Sequence, residues 1–285
     1  MTHFRVKGTH MTIFDKFSLK GRVAVVTGGG GQLGTEFCKT LAEAGASVVV
    51  ADLLVDHAAR SNKMLADAGY SSFPIGLDIT NPDSIAAMVD ETKKQFGRID
   101  ILVNCAAMDP KFDPDAAARG ITPGAFEDYP LGDWQAALNV NLTGMFLMTQ
   151  ACVKQMVAQG KKGSIINICS TYGLNGPDQR IYIKDGKRVA FKPVYYTTTK
   201  AGVMGFTKYL AAYYAETEIR VNALTPGGVY NNHEEYFVKN YSAKTILGRM
   251  AKKDEMNGAL LFLASDASSY MTGNNVIVDG GWTAW

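Results

Sequence analysis

A tyrosine and a lysine, Tyr196 and Lys200, lie four residues apart at the start of a segment that predicts a long helix over 196–214. Residues at this spacing lie one turn apart on the same helical face. A neighbouring ammonium favours the phenolate, so it lowers the pKa of a tyrosine from its ordinary value of about 10. Such a tyrosine can exchange a proton with an alcohol or a ketone. The same spacing occurs by chance in many helices, so the rest of the chain decides whether the pair is functional.

A run of four glycines predicts a phosphate-binding loop near the N-terminus. It follows a β-branched segment at 22–27, typical of a buried strand, and precedes a helix predicted over 32–44. Glycines allow the chain to turn sharply and to approach a pyrophosphate, and the helix N-terminus offers free N–H groups to the anion. A glycine-rich turn without a ligand is the alternative, which the strand–loop–helix context disfavours.

Asp52 follows the second predicted strand and predicts the choice of dinucleotide. It lies close to the position, about 20 residues after the glycine loop, at which an acidic residue binds the adenosine ribose 2′-hydroxyl. A carboxylate there repels a 2′-phosphate, and neither the loop nor the neighbours of Asp52 include an arginine or a lysine. The pattern therefore predicts NAD rather than NADP. The alternative role for Asp52 is to cap the N-terminus of the next helix. Asp56 suits that role better, because it directly precedes an amphipathic run that ends at 68.

Strands and helices alternate along the chain, which predicts one doubly wound α/β (Rossmann) domain, with helices on both faces of a seven-stranded parallel sheet. We place this domain at 20–285, after an N-terminal extension at 1–19, with Met1 or Met11 as the start of translation. The predicted strands cover 22–27, 47–51, 71–77, 99–104, 163–169, 220–224 and 275–279, and the predicted helices cover 32–44, 56–68, 81–96, 131–159, 196–214 and 253–264.

Two stretches interrupt the alternation. Residues 108–130 are rich in proline and predict a long loop, either functional or a surface excursion. Residues 171–195 form an insertion, with the tip of a hairpin predicted at 184–187. Basic residues outnumber acidic ones there, and a hairpin in solvent is the simpler interpretation.

The composition excludes several classes of protein. The chain has 285 residues, of which 47% are hydrophobic and 20% charged, and its net charge is +2. This balance is typical of globular proteins and gives no reason to expect nucleic acid or a membrane as a partner. The N-terminal segment lacks the apolar core of a signal peptide. Four widely spaced cysteines indicate thiols in a reducing compartment rather than a metal site, so we expect a cytoplasmic protein.

Taken together, these features resemble the short-chain dehydrogenase/reductase family over residues 20–285. Each motif alone is too common to identify the family, but the order in which they follow one another along the chain is specific to it. The motifs are the glycine loop at 27–34, Asp52, Asp78, the Asn-Cys-Ala-Ala stretch at 104–107, Asn141, Ser170, Tyr196 with Lys200, the Pro-Gly pair at 226–227 and the Val-Asp-Gly-Gly stretch at 278–281.

The resemblance implies a role for each matching residue. Tyr196 would be the general acid/base, and Lys200 would lower its pKa and hold the nicotinamide ribose. Ser170 would hydrogen-bond the substrate oxygen, and Asn141 would hold a water that links Lys200 to solvent. The substrate would also contact Tyr172 and His233. The implied cofactor-binding residues are Gly28, Gly31, Gln32, Leu33, Gly34, Asp52, Leu53, Asp78, Ile79, Asn104, Ala106, Tyr196, Lys200, Pro226, Gly227, Val229 and Asn231.

The sequence also departs from the family pattern. Gln32 stands where the glycine loop commonly has a glycine, and Asn231 replaces a usual threonine. The interval between Ser170 and Tyr196 is about twice the family's usual span because of the insertion at 171–195.

A narrower resemblance, to flagellin-modification and gluconate-type sugar dehydrogenases, indicates a secondary alcohol on a polar, sugar-like substrate. Two alternatives remain open: a reductase of acyl or aromatic ketones, and a non-catalytic NAD-binding regulatory protein. Family members are commonly oligomers, so a homotetramer or homodimer is expected.

Overall fold

The structure is a computed structural model that describes residues 12–109, 122–160 and 162–285. Both candidate start residues and most of the stretch 108–130 lie outside the described residues. The strands of the main sheet are β1 (Val23–Thr27), β2 (Ser47–Asp52), β3 (Ser72–Gly76), β4 (Ile101–Asn104), β5 (Lys162–Ile168), β8 (Glu218–Pro226) and β9 (Asn275–Val278).

These seven strands of the described chain form one parallel sheet in the order β3-β2-β1-β4-β5-β8-β9. The predicted doubly wound fold is confirmed. Strands with both faces covered should be continuously apolar, and all five residues of β1 are buried. The direction of winding reverses between β1 and β4, and ligands of such sheets bind outside the carboxyl ends of the strands at that point.

Helices cover both faces of the sheet. They are α1 (Gln32–Glu43), α2 (Val55–Asp67), α3 (Pro82–Phe96), α4 (Leu131–Leu138), α5 (Met145–Ala158), α6 (Val194–Tyr213), α7 (Glu235–Ser242) and α8 (Asn257–Ala264). On one face, α1, α2 and α8 pack around Phe37, Leu41 and Leu260. On the other, α3, α5 and α6 pack around Met88 and Met148.

The helix predicted over 131–159 contains a π-helical turn, Asn139–Gly144, between α4 and α5. A π turn is an irregularity often found at functional sites, and Asn141 lies within it. The combined helix Leu131–Ala158 is the one helix of the described residues long and apolar enough to cross a bilayer. Its buried residues, including Met148 and Met156, pack against the sheet as in a core helix.

Helix starts follow local capping chemistry. Asn81 caps α3 as predicted, accepting hydrogen bonds from the N–H groups of Asp83 and Ser84. The prediction that Asp56 is an N-cap is wrong: α2 begins at Val55 and its cap is Leu54. Asp52 satisfies the Leu54 N–H instead, at 3.0 Å.

Several predicted boundaries also shift. Helix α6 begins at Val194 rather than 196, directly after Pro193, and α8 begins at Asn257 rather than 253. As a result, Tyr196 lies in the first turn of α6.

The insertion at 171–195 is packed at its base and exposed at its tip. The predicted hairpin is confirmed as β6 (Ile183–Lys184) and β7 (Lys187–Arg188), whose turn residues Asp185 and Gly186 have φ of 51° and 74°. Beyond the tip, the insertion buries Ile181, Tyr182 and Ala190 in a cluster with Tyr241 and Trp282. The base of the insertion is therefore part of the folded domain, whereas the tip of its hairpin lies in solvent, as the sequence indicated.

Candidate active site

A cavity of about 540 Å³ opens at the carboxyl ends of β1, β2, β4, β5 and β8. It gathers most of the predicted site residues, although they come from distant parts of the sequence. Those on its wall are Gly28, Gly31, Gln32, Leu33, Gly34, Asp52, Leu53, Asp78, Ile79, Ala106, Ser170, Tyr172, Tyr196, Lys200, Pro226, Gly227, Val229 and His233.

The glycine loop forms one end of the cavity with almost bare backbone. Gly28 has φ of +65°, and a Cβ there would lie 2.9 Å from the Cα of Ala106. A Cβ on Gly34 would lie 2.0 Å from the carbonyl oxygen of Gly28. Both contacts are too short for a side chain, so the turn requires glycine at these positions. The wall can thereby admit a pyrophosphate against the N-terminus of α1.

Gln32, the departure from the family's glycine, is the first residue of α1. Its Nε2 donates to the carbonyl oxygen of Tyr230, at 2.7 Å. The side chain therefore links the glycine loop to the segment that follows β8.

Asp52 lies where the second strand ends, as predicted. Its Oδ2 accepts from the Gly30 N–H and its Oδ1 from the Leu54 N–H, each at 3.0 Å. Among the described residues that line the cavity, the lysines are Lys192 and Lys200, and both contact Tyr196 at the other end. No cationic wall residue of the described chain is thus available beside Asp52 to neutralise a 2′-phosphate.

Ser170, Tyr196 and Lys200 meet at the other end of the cavity. Ser170 follows β5, and its hydroxyl accepts from the Tyr172 N–H at 3.2 Å and interacts with the Tyr196 phenol, whose pKa it lowers. The ammonium of Lys200 lies 5.8 Å from the centre of the Tyr196 ring and donates to the carbonyl oxygen of Ile168 at 2.9 Å.

The predicted lowering of the Tyr196 pKa is wrong for this geometry. Burial raises the pKa of Tyr196, the Asp109 carboxylate raises it further, and the hydrogen bond to Ser170 lowers it. Burial also lowers the pKa of Lys200. Desolvation disfavours both charged forms, and the ammonium is bonded to a carbonyl rather than to the phenol, so its effect is outweighed.

Asn141 is buried and does not line the cavity. Its Oδ1 accepts from the Met108 N–H at 2.7 Å, while its Nδ2 donates to the Met108 carbonyl and to Thr199 Oγ1, both at 3.2 Å. The side chain fastens the segment after β4 to α6. Both amide hydrogens are committed to these bonds, and the water that the resemblance assigns to Asn141 stays a prediction.

Two predicted cofactor residues lie elsewhere. Asn104 is buried below the cavity and donates to Thr149 Oγ1 at 2.9 Å and to Asn167 Oδ1 at 2.8 Å, so it ties β4 to α5 and β5. Asn231 is exposed and off the cavity wall, with its N–H bonded to His233 Nδ1 at 3.2 Å. Neither side chain lines the cavity, because a motif position does not reveal where a side chain points, and the cofactor-binding role of each residue stays a prediction.

The wall near Tyr196 includes residues that the sequence did not single out. Tyr182, Phe237 and Tyr241 make it aromatic, and Lys192 lies with its ammonium 3.9 Å from the centre of the Tyr196 ring. Two features of the sequence could have pointed to these residues: the aromatic content of 230–250 and the position of Lys192 just before α6. Burial lowers the pKa of the neighbouring His233, and Lys192 lowers it further.

Comparisons with known proteins agree with this geometry. A family model described as enoyl-(acyl carrier protein) reductase matches residues 31–283. A 2-dehydro-3-deoxy-D-gluconate 5-dehydrogenase of Escherichia coli is 34% identical, covering 95% of this chain and 99% of that one. A 3-alpha-(or 20-beta)-hydroxysteroid dehydrogenase of Mycobacterium bovis is 37% identical, covering 93% and 91%.

Two solved structures share the fold and contain dinucleotides. A gluconate 5-dehydrogenase of Burkholderia cenocepacia, in complex with NADP and tartrate, superposes with a TM-score of 0.83 at 31% identity, covering 96% of this chain and 100% of that one. A short-chain dehydrogenase of Leptospira borgpetersenii with bound NAD+ has a TM-score of 0.78 at 35% identity, covering 99% and 100%.

The chain belongs to the short-chain dehydrogenase/reductase family. It is an oxidoreductase that acts on CH–OH groups with a nicotinamide dinucleotide, NAD or NADP. The predicted homo-oligomer and the cytoplasmic location stay predictions.

Proposed function

We propose that the protein is an NAD-dependent dehydrogenase that interconverts a secondary alcohol and a ketone on a polar, sugar-like molecule, with Tyr196 as general acid/base. The observation that carries the proposal is that Ser170, Tyr196 and Lys200 line the same cavity as the glycine loop. It supports the proposal because one substrate in this cavity could reach both a proton donor and a dinucleotide held by the loop.

When bound, the dinucleotide supplies the carbon that accepts or donates the hydride. The glycine loop and Asp52 would hold its adenosine half, and Pro226, Gly227 and Val229 would hold its nicotinamide half. Because all of these groups line one cavity, the chain can orient the reacting carbons without reorganising.

The chain's own residues handle the proton. In oxidation, the Tyr196 phenolate takes the hydroxyl proton of the alcohol, and in reduction the phenol returns it to the ketone oxygen. Ser170 hydrogen-bonds the same oxygen and stabilises charge on it. Burial raises the pKa of Tyr196, so the phenol is protonated at neutral pH. Ketone reduction is therefore favoured at neutral pH and alcohol oxidation at alkaline pH.

A Tyr196→Phe variant tests the proton-transfer role. We expect turnover to fall by roughly 10²- to 10⁴-fold, the usual contribution of a positioned acid/base, measured as NADH formation from sugars and sugar acids. Tyr195→Phe is the matched control, because Tyr195 is also buried but packs against Tyr129 outside the cavity. Turnover of Tyr196→Phe equal to that of the parent contradicts the role. A non-catalytic regulatory protein would bind NADH and turn over none of the substrates.

The carboxylate of Asp52 supports NAD as the cofactor. We expect kcat/KM with NAD+ to exceed that with NADP+ by at least about tenfold, since a 2′-phosphate would face a carboxylate without a cation. Asp52→Asn removes the repulsion between the carboxylate and the 2′-phosphate, so it should reduce the difference in kcat/KM between NAD+ and NADP+. Equal kcat/KM for the two dinucleotides in the parent would overturn the preference.

Charged and hydroxyl-bearing residues beside Tyr196 support a polar substrate: Lys192, Asp109, His233 and Thr171 all line the cavity. The gluconate dehydrogenases among the relatives are consistent with this.

A second candidate substrate is a ring-shaped ketone or alcohol, such as that of the hydroxysteroid dehydrogenase relative. The observation that favours it is the aromatic wall of Tyr172, Tyr182, Phe237 and Tyr241. Turnover of hydroxysteroids but not of sugars or sugar acids would select it.

A further inference from the structure

Lys192 brings a positive charge into the substrate end of the cavity from the insertion at 171–195. Its side chain is only 11% exposed, whereas a lysine ordinarily keeps its ammonium in water. The ammonium lies 3.9 Å from the centre of the Tyr196 ring. It is therefore close to the hydroxyl that we propose exchanges the substrate's proton.

The main chain of Lys192 is fixed by two hydrogen bonds to the side chain of Gln179. Oε1 of Gln179 accepts from the Lys192 N–H at 2.9 Å, and Nε2 donates to the Lys192 carbonyl oxygen at 3.2 Å. Pro193 and the start of α6 follow immediately. The ammonium is thus presented by a fixed backbone rather than by an open hairpin.

The compensation for this buried charge is incomplete. Within the described chain, the one hydrogen bond of the Lys192 ammonium goes to Asp109 Oδ1, at 2.7 Å, and the Asp109 side chain is 65% exposed. An ammonium has three N–H donors, and a buried charge is costly unless its donors are well satisfied. The contact with Asp109 also shows that this position accommodates a carboxylate.

We propose that Lys192 is a specificity-determining residue that binds a carboxylate of the substrate. The substrate class is a hydroxy acid, such as a sugar acid, whose carboxylate reaches the Lys192 ammonium while its reacting hydroxyl lies at the Tyr196 phenol oxygen. The inference rests on the proposed dehydrogenase function.

A carboxylate fits better than a phosphate. A phosphate carries nearly two negative charges at neutral pH and would face the Asp109 carboxylate with a single ammonium beside it, one that already donates to Asp109. The other lysine of the wall, Lys200, is bonded to the carbonyl of Ile168. A single ammonium suits a single charge.

The test compares Lys192→Met with the parent on matched substrate pairs. The probes are D-gluconate against D-gluconamide, and cis-4-hydroxycyclohexanecarboxylate against its carboxamide, each with NAD+. We expect the parent to prefer the acids, and the acid-to-amide ratio of kcat/KM to fall by roughly tenfold to a hundredfold in the variant, as for loss of a charge-assisted hydrogen bond. The loss should lie mainly in KM for the acid, and Lys192→Arg should restore part of the ratio.

Lys187→Met is the matched control, because it removes the same charge from a lysine at the exposed tip of the same insertion. It should leave the ratio unchanged. Equal ratios in Lys192→Met and the parent overturn the inference while leaving the dehydrogenase function standing. A ratio that changes only for D-glucitol 6-phosphate against D-glucitol overturns the carboxylate assignment in favour of a phosphate. Failure of the parent to oxidise any of these alcohols overturns the proposed function itself. If Lys192→Met does not fold, Lys192→Gln removes the same charge with a polar side chain and should lower the ratio in the same way.

Discussion

The phenol of Tyr196 is surrounded by groups with opposing electrostatic effects. Burial disfavours its phenolate most strongly, and the Asp109 carboxylate adds to this, whereas the hydrogen bond with Ser170 stabilises the phenolate. Asp109 is largely exposed but contacts Lys192 above the ring. The proton affinity of the tyrosine is therefore set by its burial and by residues far from it in sequence.

Asp109→Asn tests this balance. Because the carboxylate raises the pKa of Tyr196, its removal should lower that pKa. Alcohol oxidation needs the ionised tyrosine, so the rise of kcat with pH should move to lower pH. The loss of ketone reduction at high pH should move in the same direction, because reduction needs the protonated form. The measurement is a pH profile of kcat in both directions.

Asp185→Asn is the control for this profile. Asp185 lies at the exposed hairpin tip with φ of 51°, a conformation that asparagine tolerates, so the same chemical change is made without strain. Its profile should match that of the parent. A shift of the Asp109→Asn profile to higher pH would mean that Asp109 acts on the tyrosine in another way, for example by holding Lys192 in place.

At the scale of elements, the connection between β1 and α1 determines whether a dinucleotide can approach. The loop packs so tightly that Gly34, inside the first turn of α1, faces the carbonyl oxygen of Gly28. Glycine is normally unfavourable inside a helix. Its presence at position 34 indicates that the lack of room for a side chain, rather than helix propensity, determines the residue found there.

Gly34→Ala should distort this connection. A Cβ would lie 2.0 Å from the Gly28 oxygen, so the loop must shift. We expect NADH affinity to fall by at least about tenfold, and the free energy of unfolding to fall by about 1–3 kcal/mol, as for other overpacked sites. Fluorescence titration with NADH and denaturant unfolding measure the two effects.

Gly132→Ala is the matched substitution in α4. A Cβ there meets nothing within 4 Å, so the variant should keep its NADH affinity and gain up to about 1 kcal/mol from helix propensity. If Gly34→Ala binds NADH as tightly as Gly132→Ala does, the loop is more adaptable than its packing indicates.

At the scale of the whole molecule, the parallel sheet brings together residues that are remote in the chain. Gln32 and Tyr230 are separated by 198 positions and share a hydrogen bond across the site. Lys192 and Asp109, 83 positions apart, form an ion pair beside the Tyr196 ring. The strands all end on the same side, so the loops that follow β1, β2, β3, β4, β5 and β8 contribute to a single cavity.

The sequence alone was sufficient to predict the parallel sheet, the glycine loop, Asp52 at the end of β2 and the grouping of Ser170, Tyr196 and Lys200. The family resemblance implied the grouping of Ser170 with Tyr196 and Lys200. The other features follow from local rules, because β-branched runs, glycine loops and helical spacing act over a few residues. The tertiary structure decided the rest. Asn104 and Asn141 turned out to hold elements together, and the pKa of Tyr196 rises because burial, which depends on the whole fold, outweighs a neighbouring charge. Lys192 reached the site only through the packing of the insertion, since no local pattern specifies which distant side chains will surround it.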